Sequence, residues 1–333
     1  MKSEVKSFQI ISQDQLIQQQ KRRRLLGRDL TPQLLDEVES WVKREYQMRG
    51  FPCPIIQARS FTDSSSIFIL ANSGKEYFFR KIESEGDISE QLLDRYTAFH
   101  QGQRFDIRLL ELSSKRLLEE DLYVSSYYDI LCSADQEPKI YRRYIKAAPR
   151  LLSSGIGFDT QRGIIARGKF KRVRIGRAAN SLEAIIFGSF PEQSFDARFH
   201  WYFLPPLGSR VKLAPRISIL RQDEERFETV AYRFGTAIAN SWERESFQLQ
   251  MEAGPVFENL LTQRGQGERH LRTLKFSAEI SAISHLFEYY LTTPRKGWSF
   301  TFKAESRFAN VLAEQNSHRA EFRHHILFNL NSY

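Results

Sequence analysis

The chain has 333 residues, 41% of them hydrophobic, and 49 Lys and Arg against 40 Asp and Glu leave a net charge of +9. It is too apolar for a disordered chain and long enough for several domains, and it has no apolar run of the ~18 residues that a membrane-crossing helix needs. A membrane β-barrel stays open, because its strands need apolar residues only at alternate positions. The two cysteines, Cys53 and Cys132, make neither a disulfide framework nor a zinc pattern; unpaired thiols are expected, with a single disulfide left open. The opening MKSEVKSFQIISQ has no apolar core of signal-peptide length, which reads as a cytoplasmic protein or as a chain lacking its natural start.

The composition divides near Pro149. Residues 1–148 hold 23 basic and 22 acidic residues; residues 149–333 hold 26 and 18, so the charge excess lies in the second part. In the first part, Gln13–Arg24, with its KRRR, reads as a polar helix or an unpaired arm. Thr31 and Pro32 then form a helix start, and Leu34, Leu35, Val38, Trp41, Val42 and Tyr46 follow at helical spacing up to a stop at Gly50. Strands are expected over Ile55–Phe61, Ile67–Leu70 and Tyr77–Ile82, and helices over Ile88–Phe99 and Leu109–Leu122. Strands return over Tyr123–Leu131 and Ile140–Ile145. The order reads as one small α+β module following the end of another.

The second part alternates with period two. Phe195, Ala197, Phe199, Trp201 and Phe203 interleave with Asp196, Arg198, His200 and Tyr202, and the pattern repeats over 210–219, 230–239, 247–253, 274–281, 298–305 and 322–330. With weaker strands at Leu151–Phe158, Ile164–Ile175 and Leu182–Phe190, about ten strands are expected in consecutive antiparallel hairpins, with no helix between them. Such alternation suits a soluble sandwich or a membrane barrel equally. Aromatics at the apolar side and its ends (Trp201, Tyr202, Trp242, Tyr289, Tyr290, Trp298) suit interfacial girdles. The polar side carries Arg198, Lys212, Arg216, Arg233, Lys275, Lys303 and Arg323 beside Asp196, Glu252, Glu279 and Glu305, as a lumen would.

Four places resemble the outer-membrane assembly factor superfamily, the BamA and TamA group also called bacterial surface antigens. Tyr46-Gln-Met-Arg-Gly50-Phe51-Pro52 looks like the end of a helix in that family's POTRA modules. Tyr77 to Gly86 resembles the opening strand of the next module. Phe105 and Leu109–Tyr123 fall where its second helix and following strand belong, without the usual glycine before the strand. Ser154-Gly155-Ile156-Gly157-Phe158-Asp159-Thr160, with Gly163, is close to the opening of the family's barrel, and Thr293–Trp298 resembles the P-x-x-G before a middle strand. The loop motif V-R-G-[FY] is absent, Tyr333 is out of phase with Ile326, Phe328 and Leu330, and the family's later strands have no counterpart. The chain therefore reads as a fragment or as a short degenerate relative.

The resemblance implies a fold class: an α+β POTRA-like region followed by an all-β antiparallel transmembrane barrel, incomplete at about ten strands. It implies the end of one module over 1–74, a second over 75–148 and the N-terminal part of a barrel over 149–333. The expected function is outer-membrane protein assembly or translocation, in a Gram-negative outer membrane with the modules in the periplasm. Partners would be unfolded outer-membrane or secreted clients, the lipid bilayer, and periplasmic or inner-membrane helpers. A client seam is expected at Leu152, Ser154, Gly155, Ile156, Gly157 and Phe158, the glycines weakening strand packing or merely serving a bend or close backbone approach. A strand-adding edge is expected at Tyr123, Ser125 and Tyr127, or on Ile140–Ile145. Arg198, Lys212, Arg216, Arg233, Glu252, Lys275 and Glu279 are expected to face the lumen. No cofactor, metal site or catalytic group is expected: the seven histidines are scattered and no P-loop, HExxH or G-x-S-x-G occurs. Nucleic acid is not expected as a partner, since the basic excess is dispersed along alternating strands. The alternatives are a soluble β-rich protein binding lipid or nucleic acid, and a barrel dedicated to secreting one passenger.

Overall fold

The computed structural model describes residues 5, 7–11, 25–61, 65–80, 82–84, 90–133, 137–176, 178–203, 210–266, 269–290, 296–308 and 316–327. The polar stretch Gln13–Arg24 lies outside them, as do Thr293 of the P-x-x-G segment and Phe328, Leu330 and Tyr333 of the terminus.

Two small units share one plan. The first comprises β1 (Ser7–Ile11), α1 (Pro32–Gln47), β2 (Ile55–Phe61) and β3 (Ser66–Asn72). Its sheet runs β1-β3-β2, parallel between β1 and β3 and antiparallel between β3 and β2. Helix α1 begins as its residues dictate: Thr31 Oγ1 accepts from the Leu34 N–H at 3.2 Å, and Pro32 sits where no amide donor is needed. Leu34, Val38, Val42 and Tyr46 form its buried stripe and pack on Ile67 and Ile69. Gly50 stops the chain with φ +101°, a left-handed backbone that strains side-chain-bearing residues, and an added Cβ would lie 2.6 Å from Arg104 Nε.

The second unit comprises β4 (Glu83–Ser84), α2 (Glu90–Tyr96), α3 (Ile107–Glu119), β5 (Tyr123–Leu131) and β6 (Lys139–Lys146). The sheet order β4-β6-β5 repeats the first unit's pattern, again with the first strand parallel to the last. The strand expected over Tyr77–Ile82 is not formed. Its described residues, 77–80 and 82, make one isolated bridge, Phe78 with Arg104, held by backbone bonds of Tyr77 and Phe79 to the 102–105 loop. Where the resemblance implies a glycine before β5, Asp121 takes the left-handed conformation (φ +55°), a region that short polar side chains tolerate. Phe79, Phe105, Leu109, Leu110, Leu112 and Ile140 form the core.

The expectation of unpaired thiols is overturned. Cys53, after α1, and Cys132, after β5, form a disulfide across a sequence separation of 79 residues. The units dock through that region, where the Tyr77 N–H donates to Gly50 O at 2.9 Å. Two loops on different modules meet there, a proximity that no local pattern encodes.

The rest is one large antiparallel sheet: β7 (Arg150–Asp159), β8 (Gly163–Ile175), β9 (Asn180–Gly188), β10 (Glu192–Tyr202), β11 (Lys212–Leu213), β12 (Arg216–Glu224), β13 (Phe227–Gly235), β14 (Ile238–Glu243), β15 (Phe247–Arg264), β16 (His270–Ser284), β17 (Gly297–Arg307) and β18 (Ser317–Leu327). β11 and β12 both pair β10, and β13 and β14 both pair β15. These are two long strands, each broken once. The breaks face each other at Ala214–Pro215 and Thr236–Ala237, where Ala214 and Ala237 exchange backbone hydrogen bonds at 2.7 and 3.3 Å. The break leans onto Gly254, where a Cβ would fall 1.9 Å from Thr236 O, so only glycine fits. The expectation of hairpins without a helix needs one correction: a single turn, α4 (His285–Tyr289), lies between β16 and β17, with Ser284 Oγ accepting from the Phe287 N–H at 3.3 Å. Among the described residues no helix is long and apolar enough to cross a membrane.

The sheet is inverted relative to a soluble core. Ile156, Phe158 and Ile164 are 86%, 76% and 71% exposed, and Ile186, Phe234, Ile238, Phe276 and Phe322 are also exposed. The covered positions include Lys171, Ser218, Gln248, Glu258 and Thr273, and the buried aliphatic ones are mostly alanine.

Candidate functional site

Three features could carry function: an open edge, a charged face and a junction. The edge is β7. Among the described residues it pairs only with β8, and it is exposed along its whole length, as Leu152, Ser154, Gly155, Ile156, Gly157 and Phe158 therefore are. A Cβ at Gly155 or Gly157 would meet nothing within 4 Å, so close backbone approach does not explain these glycines. The opposite edge, β18, pairs among the described residues only with β17. In the second unit, β5 is an edge strand, with Tyr127 exposed, Ser125 half-buried and Tyr123 buried beside Tyr144. On the alternative edge, Ile140–Ile145, β6 is paired with β4 at Tyr141 and Arg142 and with β5 on its other side.

On the large sheet's polar face the charges form cross-strand ladders. Arg233 and Lys275 both donate to Glu258, at 2.8 and 3.1 Å, and Lys275 also reaches Glu305. Arg216 pairs with Asp196. Glu252 lies directly opposite Glu279, and Lys303 flanks the latter. Lys212, Glu252 and Glu279 line a cavity of about 280 Å³ with Arg95 and Tyr202. Arg198 is opposite Arg216 on β12 and Glu183 on β9. Two expected girdle positions change role. Tyr202 is buried under the Arg95 guanidinium, 3.5 Å from its ring centroid, and Tyr289 lies on α4, bonded to Arg44 and Glu111. Trp201 and Trp242 remain on the outward side, exposed.

The junction joins the second unit to one end of the large sheet, and sequence reading did not find it. Glu243, ending β14, accepts from Arg116 and Arg210 at 3.0 Å and contacts His285 Nε2 at 2.6 Å. Arg116, on α3, also donates twice to Glu288 at 2.7 Å. The Arg116 and Glu243 side chains are each 7% exposed. Burial alone would lower the Arg116 pKa, but the Glu288 and Glu243 carboxylates outweigh it and hold the guanidinium above its ordinary value. Arg210 also caps the end of α2 through Asp94 O and Thr97 O, Arg95 donates to Ala178 O, and Gln103 to Glu245 O. One signal was available: Arg116 falls on the apolar stripe of α3, four residues after Leu112, where an unpaired charge would be costly. Among the described residues no group of His, Cys, Asp and Glu could hold a metal.

No protein-family model matches the sequence, and no curated protein matches it. Solved structures do resemble it. BamA from Haemophilus ducreyi lacking POTRA domains 1–3 superposes with a TM-score of 0.52 at 14% identity, over 92% of this chain and 64% of that one. CdiB from Escherichia coli gives 0.47 at 13%, over 94% of this chain and 60% of that one. The chain thus spans less than two-thirds of either structure. The fold is similar to the outer-membrane barrels that carry POTRA domains: small α/β units leading into a large antiparallel sheet.

Proposed function

We propose that this chain works in outer-membrane protein assembly or secretion, as an assembly or translocation factor. Its working parts would be POTRA-like modules over 1–74 and 75–148 and barrel strands over 149–333. The observation that carries the reading is the inverted sheet: ten strand paths with aliphatic and aromatic residues outward, ion-paired residues on the covered face, and an edge at β7 that has one partner among the described residues. Hydrocarbon accepts the first arrangement and penalises the last, because unpaired backbone groups in lipid cost several kcal/mol each. A strand that completes β7 would satisfy those groups through main-chain bonds alone, which suits clients of varied sequence. The exposed aliphatic side chains and the two glycines keep that edge free of specific packing. The β5 edge would take extended client segments before they reach the barrel. On this reading the large sheet sits in the outer membrane, the two units face the periplasm, and unfolded clients and periplasmic helpers are the partners.

The test places a photocrosslinking amino acid at Leu152 or Phe158 in cells that express the complete protein, with Ser281, on the polar face, as the interior control. Adducts with nascent outer-membrane or secreted proteins from 152 and 158, and not from 281, are expected. Recovery of the complete protein in the soluble fraction without detergent would sink the reading.

A further inference from the structure

A second cavity, of about 560 Å³, opens where the second unit meets the foot of β14, and its lining is strongly cationic. Four guanidiniums (Arg80, Arg142, Arg210 and Arg244) face it against two carboxylates, Asp94 and Glu243. Arg210 is neutralised by Glu243 and Arg80 by Glu137. Arg142 is different. It is 3% exposed, on the inward side of β6 between Ile140 and Tyr144, and its Nε and Nη2 atoms have no hydrogen-bond partner among the described residues. Its nearest compensation is the Tyr128 ring, 5.5 Å from the guanidinium carbon. A buried guanidinium with two unused donors is costly, and an anion that accepts from both relieves that cost. The other wall is apolar, built from Leu93, Phe99 and Trp242. Trp242 also belongs to the exposed outward side of β14, below Ile238, where an indole suits the boundary between headgroups and acyl chains.

We infer that this cavity is a binding site for the phosphate of an anionic phospholipid headgroup, held by Arg142 and Arg244, with the glycerol and chain ends lying along Leu93 and Trp242. The inference rests on the outward side of β14 facing a membrane. A bound headgroup would touch both the second unit and the strand foot, and so tie the unit's position to the lipid beside the barrel.

The test uses the full chain in dodecyl maltoside, with native mass spectrometry as the readout of binding. Dihexanoyl phosphatidylglycerol is expected to bind once per chain, and dihexanoyl phosphatidylcholine at least tenfold more weakly. Arg142→Met is expected to lose tenfold or more for the anionic lipid while keeping heat-modifiable migration. Should Arg142→Met fail to fold, Arg244→Gln takes its place, with an expected loss of threefold or more. Unchanged binding in the variant that folds overturns the inference. So does inorganic phosphate filling the site at the same concentration, which would mean a free-anion site. Preferential displacement of the lipid by a short peptide acid with an aromatic C-terminus overturns it too. A chain that takes up no detergent yet binds the lipid would refute the membrane reading and leave the pocket standing.

Discussion

The two halves of the molecule use the same amino acids in opposite senses. In the small units, Val38, Val42, Ile67, Ile69, Leu110, Leu112 and Leu117 are at most 1% exposed, and most charges lie outside, with Arg95, Arg116 and Arg142 the buried exceptions among the described residues. In the large sheet Ile156, Phe158, Ile164 and Phe276 face outward, while Glu258, Lys171 and Thr273 are covered. The hydrophobic effect acts alike on both; on the function proposed above, what differs is the medium each surface meets. Alternation with period two therefore fixes strands but not which side is the inside. That is decided by where the charges find partners, and here they find them on the covered face.

The contrast can be broken most severely where the halves meet. Glu243→Gln leaves Arg116 buried with only one carboxylate and removes a charged acceptor from Arg210 and His285. The expected loss is ~3–5 kcal/mol, the range for breaking a buried ion pair. Urea unfolding of the detergent-solubilised chain measures it, and a loss under ~1 kcal/mol would make the junction a surface contact. Inverting the character of one position in the large sheet comes next. Phe276→Arg should cost ~2–4 kcal/mol in lipid, as a cation on a barrel's lipid side does, whereas Phe276→Leu should be almost silent. In a soluble core, Phe276→Leu would leave a void and cost more than ~1 kcal/mol, so the pair of variants separates the two media. Cys53→Ser should lower stability by ~2–4 kcal/mol if the cross-link acts by restricting the unfolded chain, and the effect should vanish when the wild type is reduced. Thr31→Ala, confined to the first unit, should cost ~1 kcal/mol through the lost cap. The smallest effect is electrostatic. Burial, with Glu111 alongside, pushes the Tyr289 phenol up to about 12. Its protonated form is thus favoured in the docked state, and that contribution is complete below the ordinary phenol pKa of ~10 and lost as pH rises through about 12. Ultraviolet titration of wild type against Tyr289→Phe checks it, and a phenol titrating near 10 would remove Tyr289 from the junction.

Much of the architecture was legible because it is local. The cap at Thr31, the stripe through Leu34, Val38 and Val42, and ten alternating strand paths each follow from spacing within a few residues. Tyr77–Ile82 misled because aromatic residues favour extended backbone whether or not a partner strand is present. The disulfide, the junction and the cationic cavity were not legible, since each joins residues from separate elements. Arg116 and Glu288 are 172 residues apart. Both buried arginines nevertheless left a trace. Arg116 interrupts the apolar stripe of α3, and Arg142 interrupts the inward alternation of Ile140 and Tyr144 on β6. A charge in such a phase demands a partner, although the chain does not say where that partner lies.

The bond between Cys53 and Cys132 has a mechanical consequence. It forbids the pivoting that a bare linker between two modules would permit, so the pair behaves as a strut. Whatever is bound to one unit therefore travels with the other.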